Sequence, residues 1–391
     1  MAKLIDITGK ALSGEWGTDD ESGSGIPVLR TTNFTNEGVV NYNNVVTRTI
    51  SKKNIDEKYL CPGDIIIEKS GGSDKQPVGR VIYYDGPEKT YLFNNFTGLL
   101  RVKNKSRWHP RYVFYSLYSN YRKGGTREYE NKTTGLHNLK TDAYVSRYEV
   151  ADASFFHQKQ ICEHLDIIAG IIRLRQQELQ KLDDLIKARF VEMFGDLRIN
   201  KKGWGLRSFD DLTVLITDGE HATPKRTSEG IYLLSARNIL NHAIRLDDVD
   251  YIDQEEYDRI AKRVIPTEGD VLISCSGTVG RCCAVPADLK FQMVRSAALL
   301  RFKPEIKPKF AEYMITSDFI QEQINQSKTA SSQANLFQGK IAKLKGFVPP
   351  IDMQEQFTDF ISQVDKSKIE VQKSLDEAQI LFDSLMQQYF G

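Results

Sequence analysis

The stretch RFVEMFGD, Arg189 to Asp196, decides how this sequence is read, because it has the form of a helix end and stands in the middle of 391 residues. A run with helical spacing stops there at Gly195, the residue type that most readily takes the left-handed conformation closing a helix. At an offset of 196 the last residues, LMQQYFG (Leu385 to Gly391), repeat the phrase: Phe390 falls on Phe194 and Gly391 on Gly195. Moving back at the same offset, Gln354 and Gln356 fall on Gln158 and Gln160 without a gap.

Further toward the N-terminus the correspondence continues in order while the offset drifts. NLK at Asn138 pairs with NLF at Asn335, LLRVK at Leu99 with LLRFK at Leu299, and GRV at Gly79 with GRC at Gly280. PGDII at Pro62 pairs with EGDVL at Glu268, and LRTTNF at Leu29 with LSARNI at Leu234. One such pair could arise by chance, but a collinear series marks a duplicated unit of roughly 195 residues.

Each unit has a head, residues 1–155 and 196–351, and a tail, residues 156–195 and 352–391. The heads carry short β-rich runs bounded by Gly, Pro and Asp, such as DIIIEK and GRVIYY, with helical segments such as PRYVFYSLYSNYR between them. Steps of four and three along the first tail give Ile161, Leu165, Ile168, Ile172, Arg175, Leu179, Leu182, Ile186, Arg189 and Met193, of which eight are apolar. Along the second they give Phe357, Ile361, Val364, Lys368, Val371, Leu375, Ala378, Phe382, Leu385 and Tyr389, of which nine are apolar. A seam held this long predicts that the tails pack on each other as a coiled coil; the competing reading packs each tail on its own head. At 1.5 Å per residue such a rod is roughly 50 Å long, and antiparallel rods would set the heads at opposite ends of a ruler. The expected class is α+β: two similar mixed α/β domains separated by two long helices in an antiparallel coiled coil, with an internal pseudo-twofold repeat.

Composition sets bounds on function. No run of eighteen apolar residues occurs, and MAKLIDITGK lacks the apolar core and cleavage site of a signal peptide, so a cytoplasmic protein without a membrane segment is expected. Five scattered cysteines, Cys61, Cys162, Cys275, Cys282 and Cys283, with no C-x-x-C pair, read as free, mostly buried thiols. The net charge of +1 conceals a distribution: +4 and +2 on the heads, 0 and −5 on the tails. Within the heads, basic residues gather in 119–141 (five basic, two acidic) and in the matching 323–345 (four and none). Both stretches are rich in Gly, Ser, Thr, Asn and Gln, which supply donors and acceptors for phosphates and base edges.

A catalytic set is not found. In GDIIIEKSGG the adjacent Glu68 and Lys69 point to opposite faces of a strand, so with Asp64 they do not make a nuclease site. Only Asp64 and Asp270 repeat, which fits a turn entering a strand. The Pro-Pro of FVPPID at Pro349 lacks the flanking amide and ring of a base methyltransferase. No G-x-x-x-x-G-K-[ST] loop is present, and the six histidines are scattered without ligand spacing or a nucleophile nearby. The Gly-rich turns before Arg80 and Arg281 can offer backbone N–H groups to a phosphate.

A duplicated head and rod with polar, basic loops and no catalytic set points to a reader of two duplex DNA half-sites. The sequence resembles, over its whole length, the specificity subunits of type I restriction–modification systems. The phrases carrying the likeness are GIPVLRTTNF and GIYLLSARNI, PGDIIIEKSG and EGDVLISCSGTVGR, TDGEHATPKR, and NLFQGKIAKLKGFVPPIDMQEQF. The resemblance implies a non-catalytic subunit with two target recognition domains, which binds double-stranded DNA and docks two methylase subunits and then restriction/translocase subunits. It further implies that S-adenosylmethionine, ATP and Mg²⁺ are held by those partners, none by this chain, and that helix length sets the spacer. The first unit departs from the pattern in lacking the Pro-Pro before its helix. DNA-contacting residues are chosen by chemistry: Arg30, Thr32, Asn33, Arg80, Lys123, Arg127 and Lys132 in the first head, and His221, Lys225, Arg226, Arg237, Asn238, Arg281, Lys328, Gln333 and Asn335 in the second. Arg suits guanine, Asn and Gln suit adenine, and Lys grips phosphate. Two alternatives remain, a two-headed protein-interaction scaffold that binds no nucleic acid and a nuclease using Asp64 and Asp270.

Overall fold

The computed structural model of the chain describes residues 1–52, 55–133, 136–327 and 335–391. Its residues fall into two units: Met1–Gln176 with Lys373–Gly391, and Gln177–Gln372. The division does not follow the boundaries between heads and tails. It cuts through both long helices, Phe155–Phe194 and Ile351–Phe390.

In the first unit the run DIIIE forms the strand Asp64–Glu68, buried at every residue. It is an inner strand of a four-stranded antiparallel sheet in the order Leu12–Ser13, Thr97–Leu100, Asp64–Glu68, Val81–Tyr84. Alternation along the strand sorts its side chains. Ile65 and Ile67 join a core with Tyr112, Val113 and Leu117 of the helix Pro110–Arg122, while Ile66 joins a second core with Leu29, Phe34, Tyr84 and Phe93. Continuous apolar runs are what a strand covered on both faces requires. A smaller sheet borders the second core; within it Ile26–Leu29 runs parallel to Leu92–Phe93.

The second unit repeats this plan. Its four-stranded sheet runs Thr213–Asp218, Ala297–Phe302, Val271–Ser274, Cys282–Ala284. Val271 and Ile273 face one core and Leu272 the other, and Ile231–Leu234 runs parallel to Phe291–Met293. The helix Pro308–Thr316 opens, like Pro110–Arg122, with a proline whose missing N–H would have had no helical partner.

Within each unit the head receives the start of one long helix and the end of the other, and the two segments run antiparallel. In the first, Ile161, Leu165, Ile168 and Ile172 pack with Leu375, Phe382, Leu385 and Tyr389. In the second, Leu182, Ile186 and Met193 pack with Phe357, Ile361 and Val364. Val371 is also buried and Leu179 half-buried. The seam's cationic positions find partners: Arg175 Nε donates to Ser374 Oγ at 3.2 Å, and Lys368 Nζ lies 2.5 Å from Asp183 Oδ1. At the helix ends the apolar stripe widens. Phe190 and Phe194, outside the heptad seam, are buried among Phe310, Phe347 and Phe357, with the rings of Phe194 and Phe310 5.0 Å apart. Met386 and Phe390 do the same in the first unit, with Phe390 5.2 Å from Tyr112. Gly195 closes the first helix at φ 81°, its N–H donating to the Val191 carbonyl at 2.7 Å. The repeated phrase is thus the plug by which each helix end enters the head it did not start from.

At the other end of each helix a buried glutamine fastens the head. Gln158 accepts from His109 N–H and donates to the carbonyls of Arg107 and Ala153; Gln354 accepts from Lys307 N–H and donates to those of Glu305 and Pro349. Both are fully buried, so every amide group of the clamp is spent inside the fold. Among the described residues no helix is long and apolar enough to cross a membrane, and all five thiols are free, only Cys61 being partly exposed.

Candidate nucleic-acid interface

Beyond its buried strand the chain PGDIIIEKSGG emerges at Lys69, where three segments are tied. Lys69 N–H donates to the Phe96 carbonyl at 2.8 Å, and the Lys69 carbonyl accepts from Leu139 N–H at 2.8 Å. The Gly-rich strand Ser70–Gly72 then pairs with Leu136–Leu139, itself paired with Glu130–Thr133. The Gly-rich turn and the basic, polar stretch 119–141 are thereby built into one small sheet. The second unit has the same knot at Cys275, whose N–H donates to the Ser296 carbonyl at 2.7 Å and whose carbonyl accepts from Leu336 N–H at 2.9 Å. In both heads the residue before the last contact is an asparagine, Asn138 and Asn335.

A further loop converges on this knot. Glu220 N–H, in TDGEHATPKR, donates to the Met293 carbonyl at 2.8 Å; Glu15 N–H donates to that of Phe93 at 2.8 Å. SGEW (13–16) is therefore the counterpart of DGEH (218–221). The glycine between is obligatory, since a Cβ on Gly14 or Gly219 would sit 2.2 or 2.3 Å from a backbone oxygen. In the second head Asp218 gathers its surroundings: His221 Nε2 lies 2.8 Å from its Oδ2, Gln338 Nε2 3.2 Å from its Oδ1, and Arg263 is paired with it as well. In the first head Ser13 takes that place and accepts from Lys69 Nζ at 2.8 Å. Burial, with Lys58 nearby, lowers the Lys69 ammonium's pKa.

The residues chosen from sequence occupy distinct environments. Asn33 and Asn238 are buried and committed to their own loops: each accepts from the N–H three residues earlier and donates to two carbonyls, Asn41 and Asn43 or Arg245 and Asp248. Their amides hold the turns Thr31–Asn33 and Ala236–Asn238, so both side chains are spent on their own loops. Arg80 is likewise turned inward, donating to the carbonyls of Phe34 and Thr31 and lying 3.5 Å from Glu68. Its counterpart Arg281 has no such carboxylate, because Ser274 stands where Glu68 does, and its side chain joins no ion pair among the described residues. Burial raises the Glu68 pKa above its ordinary value, against the pull of Arg80.

The remaining candidates lie nearer the surface. Arg30 is half-buried and donates to the Asn44 carbonyl; Thr32 is exposed. Arg127 donates to the Asp74 carbonyl at 3.3 Å, while Lys123 Nζ donates to the Phe390 carbonyl at 3.0 Å, capping the second long helix. Arg226 and Arg237 share Asp250, at 2.9 and 2.8 Å; against the effect of burial, the pair lowers its pKa. Lys225 and His221 are exposed, and Asn335 is half-buried at the knot. Lys328 and Gln333 lie outside the described residues, as does the side chain of Lys132.

The two repeated acids prove structural. Asp64 and Asp270 are 1% and 2% exposed, and each accepts two hydrogen bonds from one arginine, Arg101 (2.7 and 2.6 Å) and Arg301 (2.7 and 2.7 Å). Each also accepts a backbone N–H, from Cys61 or Thr267. Buried, and with three acceptor sites so engaged on each, the two carboxylates are committed to the fold, and no cluster of metal-ligating side chains occurs among the described residues.

Lys69, Asn95, Phe96, Asn138 and Arg295 surround the knot and are not among the residues chosen from sequence. The signal available was the Gly-Glu pair shared by SGEW and DGEH at the same offset, 205, as the LRTTNF and LSARNI pair.

Residues 203–380 match the family model described as the type I restriction modification DNA specificity domain. No curated protein matches the sequence. The fold is similar, over 100% of this chain and 95% of the other, to the S subunit of a type I restriction-modification system from M. genitalium, at 13% identity and a TM-score of 0.56. It is similar again, over 100% and 96%, to a chain from a structure on complex assembly and conformational transition of the type I R-M system, at 14% identity and a TM-score of 0.53. The second half is thus matched by the model of the type I restriction modification DNA specificity domain, the first half repeats the second down to the knot, and the whole chain shares its fold with the two solved structures.

Proposed function

We propose that each unit reads one half of a split, asymmetric duplex DNA site, that the long helices dock two methylase subunits and then restriction/translocase subunits, and that helix length sets the spacer. S-adenosylmethionine, ATP and Mg²⁺ are then held by those partners, and this chain contributes recognition without chemistry, in the cytoplasm. The observation that carries the reading is the knot present in both heads, where the Gly-rich turn, the DGEH-type loop and the basic, polar stretch meet at equivalent places with different side chains. Equal scaffolds with unequal surfaces are what two different half-sites require. The test is the salt dependence of DNA binding by the chain assembled with its methylase subunits. Phosphate contacts release counterions, so log K against log salt falls with a slope of about −0.9 per contact. A steep negative slope together with preference for one duplex sequence is the expected outcome. Binding absent at all salt concentrations, with the methylase still bound, would favour the protein-interaction scaffold, for which the neutralised Arg226 and Arg237 speak.

A further inference from the structure

The two knots are built alike but present different chemistry. In the first head the turn before Thr97–Leu100 carries Asn95 and Phe96, in the second the turn before Ala297–Phe302 carries Arg295 and Ser296, and the shared backbone bonds from Lys69 and Cys275 fix the correspondence. Phe96 is 53% exposed at the rim of an open cleft of about 550 Å³, lined also by Asn95, Asn138, Lys69 and Ser13. A single exposed ring is ordinary. This one shares its cleft with two carboxamides, Asn95 and Asn138, that make no side-chain hydrogen bond to any described residue, at the point where the basic, polar stretch joins the sheet. In the second head Arg295 is exposed, its guanidinium joins no ion pair among the described residues, and Asn335 keeps the place of Asn138.

We propose that this turn sets the base specificity of each head: Asn95, Phe96 and Asn138 read an A·T pair in one half of the target, and Arg295 reads a G·C pair in the other. The assignment rests on the DNA-reading function proposed above and follows from groove chemistry. A carboxamide offers one donor and one acceptor side by side, matching adenine N6 and N7, and an apolar ring fits against the thymine methyl. A guanidinium offers paired donors to guanine O6 and N7 and has nothing to accept with. The side chains already bound inward, Asn33, Asn238 and Arg80, cannot serve either purpose.

The test uses the full chain assembled with its methylase subunits, and duplexes carrying the mapped target or its alternatives at each base pair in turn. Asn138→Ala, Asn95→Ala and Phe96→Ser are each expected to lower discrimination at one A·T pair of one half, the carboxamide variants by about ten- to a hundredfold, leaving the other half unchanged. Arg295→Ala is expected to do the same at one G·C pair of the opposite half. Because Asn95, Phe96 and Arg295 are exposed and the half-buried Asn138 makes no side-chain hydrogen bond to a described residue, unchanged thermal unfolding accompanies the loss. Should one of them fold poorly, the exchange Arg295→Asn with Ser296→Phe carries the same claim, and must weaken the preference for G·C at that pair. Discrimination kept at wild-type level, or lost evenly across every pair of a half, overturns the proposal. A wild-type complex that binds duplex without any base preference would instead remove the specificity reading on which it stands.

Discussion

Arg101 and Arg301 each give two N–H donors to one buried carboxylate, and this pairing explains why Gly-Asp recurs before both central strands. Removing the arginine leaves a charge buried in the core, which costs about 3–5 kcal/mol where burial is complete, and toward the lower end here because each arginine reaches solvent. Arg101→Ala should therefore lower the urea midpoint substantially, and Asp64→Asn should also destabilise without touching any metal-dependent cleavage by the chain, because none is expected. Glu68 yields a pH prediction. Its carboxyl is held above its ordinary pKa by burial, so between the ordinary and the raised value the folded chain binds more proton than the unfolded one. Stability from this group is present below that window and lost as pH rises through it. Glu68→Gln should flatten the fall in unfolding free energy measured upward from pH 4.5. Much of this was hidden in the sequence. Asp64 and Asp270 are visible as a repeat, but their partners lie 37 and 31 residues away, and nothing local shows that Asn33 would bond its own loop and not a base.

The helices are legible in a way these residues are not. A 3.5-residue period over nearly five heptads names the buried face directly, and Ile161 through Met193 and Phe357 through Tyr389 lie on it. What the heptad template omits is Phe190, Phe194 and Met386, because it assumes one partner per helix, and at these ends the helix has two, the other helix and a head. Phe194 is fully buried among four other rings, so Phe194→Ala should cost about 3–5 kcal/mol. Phe390 keeps some exposure, and the same change there should cost less. Paired thermal melts of the two variants decide whether the repeated phrase is a plug of unequal depth. The Gln clamp sits at the opposite end of each helix. Gln158→Ala strands buried groups of the loop before Pro110, at about 1–3 kcal/mol for each left unsatisfied; hydrogen exchange at His109 should accelerate more than at residues remote from it.

For the whole molecule, the duplication gave the two-headed plan, but the compact units end inside the helices, at Gln176 and Gln372, and not at the junctions of head and tail. The reason is that sequence adjacency groups a helix with the head before it, whereas burial groups its far end with the other head. This changes how heads can be exchanged: a transplanted first head must bring rings equivalent to Tyr112 and Tyr115, which meet Phe390 and Phe382. If helix length sets the spacer, one heptad inserted into each long helix adds about 10 Å, and the distance between methylated half-sites should grow by about three base pairs. The most direct measurement exchanges residues 1–155 for the matching head of a relative, retaining those ring contacts, and maps methylated bases in cells that carry the assembled system. One half of the methylated motif is expected to change while the other half and the spacer stay as they were. Both halves changing together, or neither, would contradict the reading of one half-site by each unit.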